Sequence, residues 1–145
     1  MPPDLGQPYL PTWDGAPPHM APRDLPLWRR YRQSTARFWT AVYFDVALGE
    51  GAPLPTNGSR LTLDMWQRIT RQRADVVTLS RAGWTIVELR PNAGPSALGT
   101  ILSYRVLWKA DPPDRRPLAI LLVTNQTTQD LELAATKLGV PLLMV

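Results

Sequence analysis

Two acidic residues and one arginine lie on either side of a short turn. Asp75 falls in the segment ADVVTLS, and Glu88 and Arg90 fall in WTIVELR. Both segments are rich in β-branched and aromatic residues, which is typical of strands. Because side chains two residues apart share a face of a strand, a tight turn would place Asp75 across from Glu88. Opposed carboxylates repel, and a divalent cation between them would relieve that repulsion and promote hydrolysis.

The turn between these segments leaves alternatives open. A tight turn at Arg81-Ala82 would place Val77 opposite Ile86. Gly83 suits the left-handed position of a short bulged loop, which would shift the register by one residue. The carboxylates also have a plainer interpretation, in which Glu88 forms an exposed ion pair worth ~0–1 kcal/mol and Asp75 caps its strand or pairs with a neighbouring arginine.

The segments that follow predict the elements that must position these side chains. We expect a helix over 96–109 with Ser96 as its N-cap, an apolar strand over 118–124, and a helix from Thr127 to Leu138 that stops at Gly139. A last strand over 140–145 and short links predict parallel crossovers. The element order from residue 74 is then β-β-α-β-α-β, an α/β domain with a small mixed sheet.

This combination resembles the PD-(D/E)xK, or restriction-endonuclease-like, nuclease core. Asp75 matches the aspartate of that motif, and Glu88-Leu89-Arg90 matches its (D/E)xK triplet. Thr100 to Tyr104 matches the Gln-x-x-x-Tyr found on the following helix of many members. The resemblance implies that Asp75 and Glu88 bind magnesium or manganese and that both act with Arg90 in catalysis. Arg71, Arg73, Arg90 and Tyr104 are then the expected nucleic-acid contacts.

The chain also departs from that motif. Arg90 replaces the lysine, and a guanidinium stays protonated and cannot serve as a base. Thr100 replaces the glutamine and is shorter. Lys109 lies near the far end of the same helix, where it is poorly placed to substitute. Three upstream residues are candidates for a further acid, and their spacing favours none of them: Asp45, Glu50 and Asp64.

Composition restricts the chemistry further. The 145 residues include no cysteine and one histidine, His19, which argues against thiolate or histidine zinc sites and against a Ser-His triad. The net charge is +4, and arginine supplies most of the basic residues. Arginine suits phosphate contacts, although an arginine-rich surface is an equally good interpretation. We find no membrane span and no signal peptide in the sequence.

The N-terminal segment differs in character from the rest. Residues 1–26 carry eight of the sixteen prolines and predict an extended arm. Tyr9, Trp13 and Trp28 would anchor this arm on its own domain or on a neighbouring subunit, and we favour the partner surface. Residues 27–60 form a lead-in before the α/β domain at 61–145.

Within the lead-in, residues 27–37 predict a basic helix with Arg29, Arg30, Arg32 and Arg37. Residues 38–48 favour a strand, although the helix could continue through them. A loop with the turn pair Asn57-Gly58 follows, and 61–70 predict a short amphipathic helix.

The sequence favours a structural role over an enzymatic one. An eroded nuclease motif, a basic domain and an adhesive arm fit a head-completion or neck protein of a tailed phage. Such a protein would be found in the virion or the host cytoplasm. We would expect it to form a homo-oligomer and to bind virion proteins or its own copies through the arm. It would contact DNA and need no cofactor. The alternatives are an active magnesium-dependent endonuclease or resolvase, and a nucleic-acid-binding module without metal.

Overall fold

A five-stranded mixed sheet forms the centre of the part of the chain that the computed structural model describes, residues 1–54 and 62–145. The strands are β1 (Trp39–Leu48), β2 (Gln72–Ser80), β3 (Gly83–Leu89), β4 (Leu118–Thr124) and β5 (Leu142–Met144). The helices are α1 (Leu25–Thr35), α2 (Leu63–Thr70), α3 (Pro95–Ala110) and α4 (Gln129–Leu138), and a 3-10 turn, Ala36–Phe38, follows α1. None of these helices combines the length and the apolar character that crossing a bilayer requires.

The sheet has the strand order β1-β2-β3-β4-β5. The first three strands pair antiparallel, and β3, β4 and β5 pair parallel. The predicted α/β class and the element order from residue 74 are therefore confirmed. The bounds predicted for β4, 118–124, match the structure.

The segment that the sequence left open between helix and strand is a strand. β1 pairs along the length of β2, from Trp39↔Ser80 to Leu48↔Gln72. The sheet thus includes residues upstream of the 61–145 domain that we predicted. The turn pair Asn57-Gly58 and the first residue of the predicted 61–70 helix lie outside the described residues.

Two apolar cores lie on opposite faces of the sheet. One packs α3 and α4 against Val77, Ile86 and Leu122. The other packs the aromatic residues of α1 against Val76 and Val87. Adjacent residues of β2 and β3 alternate between these cores, as the period of a strand requires.

A two-residue turn closes the hairpin of β2 and β3. Ser80 pairs with Gly83 and Val77 pairs with Ile86, so the simple register holds and the bulged loop does not form. Gly83 opens β3 with a φ of 117°, and a side chain there would collide with the carbonyl oxygen of Pro117. Glycine is required at this position both by its own backbone conformation and by the close approach of the segment that contains Pro117.

The ends of two helices differ by one residue from the predictions. Gly94 is the N-cap of α3 and Pro95 its first residue, so Ser96 lies inside the helix and does not cap it. Proline suits this first position because its φ is fixed and it has no N–H to satisfy. Thr128, not Thr127, caps α4 by accepting a hydrogen bond from the Leu131 N–H. Gly139 ends α4 in the left-handed conformation, as predicted.

The N-terminal segment lies along the free edge of β1. Backbone bridges join Asp4 to Ala47 and Tyr9 to Val42. The rings of Tyr9 and Trp13 pack on Phe44, with centroid distances of 5.2 and 5.8 Å. Trp28 is 2% exposed and belongs to the core beneath α1. The surface that holds these three aromatic residues is thus the chain's own domain, and not the partner surface that we favoured.

Candidate functional site

In both β1 and β2, the face of the sheet to which even-numbered side chains point changes at one position, Asp45 in β1 and Asp75 in β2. In β1, Val42 and Phe44 face the core beneath α1, whereas Val46 and Leu48 face the core beneath α3. Asp45 has a φ of 53°, in the left-handed region that aspartate tolerates better than most residues. This one residue reverses the faces of the strand.

In β2 the change of face occurs at Asp75, so the side chains on either side of it point to different cores. Val76 faces the core beneath α1, whereas Ala74 faces the core beneath α3. The Asp75 carboxylate accepts a hydrogen bond from the Leu89 backbone N–H at 3.2 Å. Asp75 thus lies between β2 and β3, beside Glu88, and does not act as an exposed cap or as a partner of Arg73.

Glu88 is buried on the side of the sheet that carries α3, with 5% of its surface exposed. Its Oε1 accepts a hydrogen bond from Arg90 Nη2 at 3.1 Å. Its Oε2 is fully buried and has no hydrogen-bond partner among the described residues. Burial of an unsatisfied carboxylate oxygen is costly, so this atom marks a place where a ligand or a proton is expected.

The proton affinities of the two carboxyl groups follow from this geometry. Burial raises the pKa of Asp75 to about 6, against a weaker opposing effect of the Leu89 hydrogen bond. Burial raises the pKa of Glu88 to about 7, and the Asp75 charge raises it further while Arg90 lowers it. The predicted convergence of the two acids is thus realised, because Asp75 accepts a hydrogen bond from the residue after Glu88 and its charge raises the pKa of Glu88.

Tyr104 lies beside the acidic pair but its hydroxyl is occupied. The hydroxyl donates to the Arg73 carbonyl oxygen at 2.6 Å, and the residue is 6% exposed. Burial, followed by the charges of Glu88 and Asp75, raises the pKa of Tyr104. Tyr104 therefore braces α3 against β2 and is not placed to contact nucleic acid. The Thr100 hydroxyl donates to the Ser96 carbonyl within α3.

Two arginines that we expected to bind nucleic acid donate hydrogen bonds within the chain, Arg71 from a buried position and Arg73 from an exposed one. Arg71 is 8% exposed, and its guanidinium donates to the carbonyl oxygens of Gly49 at 2.6 Å and Pro2 at 2.8 Å. Arg73 donates to the Arg68 carbonyl at 2.6 Å and to Asp45. Both guanidinium groups donate hydrogen bonds to backbone carbonyl groups of this chain, and the sequence alone does not reveal these contacts.

Arg90 is the predicted phosphate contact that adjoins the acidic pair and is still partly accessible. Its side chain is 30% exposed and forms an ion pair with Glu88. Its second terminal nitrogen lies 3.4 Å from the Ser96 hydroxyl, so it is held between the end of β3 and the start of α3. This position lets one guanidinium contact the acidic pair and the surface.

The upstream acids differ from the expectation. Glu50 is 68% exposed, and Asp64 pairs with Arg68 at 3.0 Å. Asp45 pairs with Arg73, although its charge still raises the pKa of Asp75.

The acid that sequence reasoning missed is Asp24, the N-cap of α1. It is 8% exposed, burial raises its pKa, and its charge raises those of both Asp75 and Glu88. Nothing in its proline-rich surroundings singles it out in the sequence.

The donor set fits a hard divalent cation held by two protein groups. Across residues 1–54 and 62–145, no three histidine, cysteine or acidic side chains cluster as a metal site. Magnesium, however, commonly uses one or two carboxylates together with water and substrate phosphate. The unpartnered Oε2 of Glu88 and the adjacent Asp75 carboxylate supply that minimum.

An open groove of about 1030 Å³ lies along α3, and Ser96, which contacts Arg90, is part of its lining. It runs between α3 and the loop that follows β1, and Ser96, Thr100 and Gln72 contribute polar atoms to its lining. Because Ser96 also contacts Arg90, the groove leads to the accessible side of the site.

Comparison with protein-family models, with curated proteins and with solved structures found no match. The roles of these residues therefore rest on geometry and chemistry alone.

Proposed function

We propose that this protein hydrolyses phosphodiester bonds in nucleic acid with the help of Mg²⁺ or Mn²⁺ held by Asp75 and Glu88. The observation that carries the proposal is the buried Glu88 Oε2, which has no partner among the described residues and lies beside the partly buried carboxylate of Asp75. The resemblance of Asp75 and Glu88-Leu89-Arg90 to the PD-(D/E)xK motif supports the same assignment.

The burial of Glu88, with Asp75 partly buried beside it, supports a cation site over a surface ion pair. An exposed Glu–Arg pair would be satisfied by water and would need no further ligand. Here the Arg90 guanidinium satisfies one oxygen of Glu88 and leaves the other without a donor. A cation on that oxygen would offset the cost of burying the Glu88 charge and the effect of the Asp75 charge, which together raise the pKa of Glu88.

The reaction proposed is hydrolysis. The oxygen of water forms a bond to phosphorus, and the bond to the leaving sugar oxygen breaks. The leaving oxygen takes up one proton, and the new phosphate monoester releases the other. A bound Mg²⁺ or Mn²⁺ supplies Lewis acidity, which favours ionisation of water at neutral pH and offsets charge on the phosphate.

The chain's own residues divide the remaining work. Asp75, fixed by the Leu89 N–H, and Glu88, fixed by Arg90, orient their free oxygens. Arg90 cannot accept a proton, so its part is to stabilise charge on the phosphate through its accessible nitrogens. The Leu89 and Arg90 contacts keep the two carboxylates in place before any ligand binds, which lowers the cost of binding.

The decisive test is cleavage of supercoiled plasmid with Mg²⁺ or Mn²⁺. We expect cleavage by the full chain and a loss of at least ~100-fold with Glu88→Gln or Asp75→Asn. Asp114→Asn is the matched control, since Asp114 is a carboxylate at the other end of β3 that should not matter. Cleavage that survives Glu88→Gln unchanged, or a chain that does not bind Mn²⁺ in a calorimetric titration, would overturn the proposal.

A second candidate is the assembly role favoured by the sequence, on a tailed-phage particle or between copies of the chain. The observation in its favour is that residues 1–24 meet β1 by main-chain bridges at Asp4 and Tyr9. Strand-like additions at a free edge are readily exchanged between identical copies. Leu10, 70% exposed in this arm, would then meet a neighbouring subunit.

Light scattering on the full chain and on a variant lacking residues 1–20 tests the assembly role. An arm-exchanged oligomer that becomes monomeric on deletion would support it. The same number of subunits per particle for both chains would exclude arm exchange, whatever the result of the cleavage assay.

A further inference from the structure

The excess positive charge of the chain is concentrated in one segment. Sixteen basic and twelve acidic residues give the net charge of +4. Residues 25–44 contain four arginines and no acidic residue, so the remaining 125 residues carry twelve of each sign. The basic character of the protein is therefore a property of α1 and the residues that follow it.

The exposed side of α1 carries these charges. Leu27, Trp28 and Tyr31 face the core, and the opposite side presents Arg29 and Arg30 to solvent. These two arginines form no hydrogen bond or ion pair with any described residue. Their guanidinium groups are thus available to a partner.

Three exposed arginines are spaced seven residues apart: Arg23, Arg30 and Arg37. Only Arg30 lies in α1 itself, and the other two flank the helix; we call the three the arginine row. At 1.5 Å per residue the 11 residues of α1 are roughly 16 Å long, about five base pairs of a duplex. Arg23 precedes the N-cap of α1 and Arg37 lies in the 3-10 turn after it, so the row uses the whole segment.

An exposed ring lies at the far end of the row. Phe38 is 60% exposed, and the Arg37 guanidinium carbon lies 4.5 Å from its ring centroid. A guanidinium stacked on an accessible ring is a surface on which a base can also stack. This feature favours nucleic acid over an acidic peptide or a lipid headgroup.

The near end of the row adjoins the candidate catalytic site. Arg23 is followed by Asp24, whose buried carboxylate is close enough to Arg90, Asp75 and Glu88 to interact electrostatically with all three. α1 covers the face of the sheet opposite the one on which Glu88 is buried, so the row approaches the acidic pair only at its Arg23 end.

We propose that the arginine row is the surface that binds the phosphate backbone of nucleic acid, with its Arg23 end nearest to Asp75 and Glu88. This inference rests on the proposed function for the identity of the ligand. It replaces the expected contacts of Arg71 and Arg73, which the protein uses internally. Arg23 Nε lies 3.8 Å from Asp24 Oδ1, and the Arg23 side chain is 79% exposed, so its guanidinium stays accessible to a phosphate.

The test is fluorescence anisotropy with a labelled 20-base-pair duplex and with a labelled single strand of the same sequence. Binding is measured in EDTA, from 50 to 300 mM KCl, so that cleavage plays no part. The row variant is Arg23→Gln/Arg30→Gln/Arg37→Gln. The control variant is Arg81→Gln/Lys109→Gln/Arg115→Gln, which removes the same charge from three exposed positions around the hairpin end of the sheet.

We expect the row variant to lose at least tenfold in affinity at 100 mM KCl, and the control less than about twofold. Each phosphate contact contributes about 0.9 to the slope of log K against log salt, so the slope for the duplex should fall by about 2.7 in the row variant. Equal losses in the two variants, or no loss in either, would overturn the inference. So would a row variant that loses binding to phosphatidylserine vesicles while keeping its affinity for DNA.

The two proposals fail separately. A chain that binds Mn²⁺ through Asp75 and Glu88 and cleaves DNA, but whose row variant binds DNA normally, refutes the row and leaves the catalytic site standing. A chain that binds DNA through the row but cleaves nothing refutes the catalytic proposal alone. A wild-type chain that binds neither oligonucleotide at 50 mM KCl refutes the row.

Discussion

The two ends of β3 hold carboxylates in opposite electrostatic conditions. At the hairpin end, Asp114 accepts hydrogen bonds from the Trp84 indole at 3.0 Å and the Arg116 N–H at 2.8 Å. These donors, that of Arg116 first, lower the pKa of Asp114. At the other end, burial raises the pKa of Glu88 to about 7, and one of its oxygens has no donor among the residues described.

The two carboxylates differ in how fully their oxygens are hydrogen-bonded. Asp114 is supplied with donors that its own loop and a neighbouring tryptophan provide, and it is stable as an anion. Glu88 and Asp75 are short of donors and lie close together, so their anionic forms are destabilised until a proton or cation arrives. Perturbed acids of the second kind cluster at functional sites.

The largest expected contrast concerns stabilisation by a divalent cation. Mn²⁺ at 100 times its dissociation constant should stabilise the wild-type chain by about 2.7 kcal/mol at pH 8, because it binds the folded state alone. Glu88→Gln should abolish this gain, and Asp114→Asn should retain it. Thermal unfolding with and without Mn²⁺ measures both. A gain of equal size in Glu88→Gln would place the cation elsewhere.

The second contrast is the pH dependence of stability in EDTA. The folded-state pKa values of Asp75 and Glu88, about 6 and 7, lie above their ordinary values of 3.8 and 4.5. The folded protein therefore binds protons more tightly than the unfolded chain, and stability should fall as pH rises from about 4 to about 7. We expect Glu88→Gln to remove about 2 kcal/mol of this loss, as judged by urea unfolding at pH 5 and pH 8. A wild-type chain whose stability rises across that range would contradict the burial of the pair.

Arg90→Gln should produce a smaller effect that also depends on pH. The substitution leaves the Glu88 carboxylate without its only charged donor, so it should cost about 1 kcal/mol more at pH 8 than at pH 5, where Glu88 is protonated. Urea unfolding at the two pH values measures the difference. Equal costs at both would show that the ion pair does not govern the ionisation of Glu88.

The smallest effect is expected at the hairpin end. Because hydrogen bonds lower the pKa of Asp114, it is charged at both pH 5 and pH 8. Asp114→Asn should lower the melting temperature slightly and by the same amount at both values. A melting-temperature shift that differs between pH 5 and pH 8 would remove the contrast between the two ends of β3.

Local chemistry in the sequence was enough to predict the convergence of the acids. The two-residue turn at Arg81-Ala82 determines the register, and the register places Asp75 beside Glu88. The apolar run of β4 and the glycine that ends α4 were likewise predicted from local patterns. In each case the deciding interaction joins residues close in the chain.

The features that escaped prediction depend on distant segments. The sequence does not show that the Arg71 guanidinium donates to the carbonyl oxygens of Gly49 and Pro2. Nor does it show that Arg73 donates to the carbonyl oxygen of Arg68. Asp24 was not predicted to belong to the site because the sequence shows only a single acid in a proline-rich segment. Its proximity to Asp75 and Glu88 depends on how α1 packs against the sheet.

The left-handed backbone at Asp45 has a consequence for how this chain tolerates substitution. Even-numbered positions of β1 remain apolar from Val42 to Leu48, yet they serve a different helical layer on each side of Asp45. The left-handed residue between them thus lets one strand contribute side chains to both cores. Glycine or asparagine can adopt this conformation, whereas valine or isoleucine would favour a regular strand and move Val46 and Leu48 out of the core beneath α3.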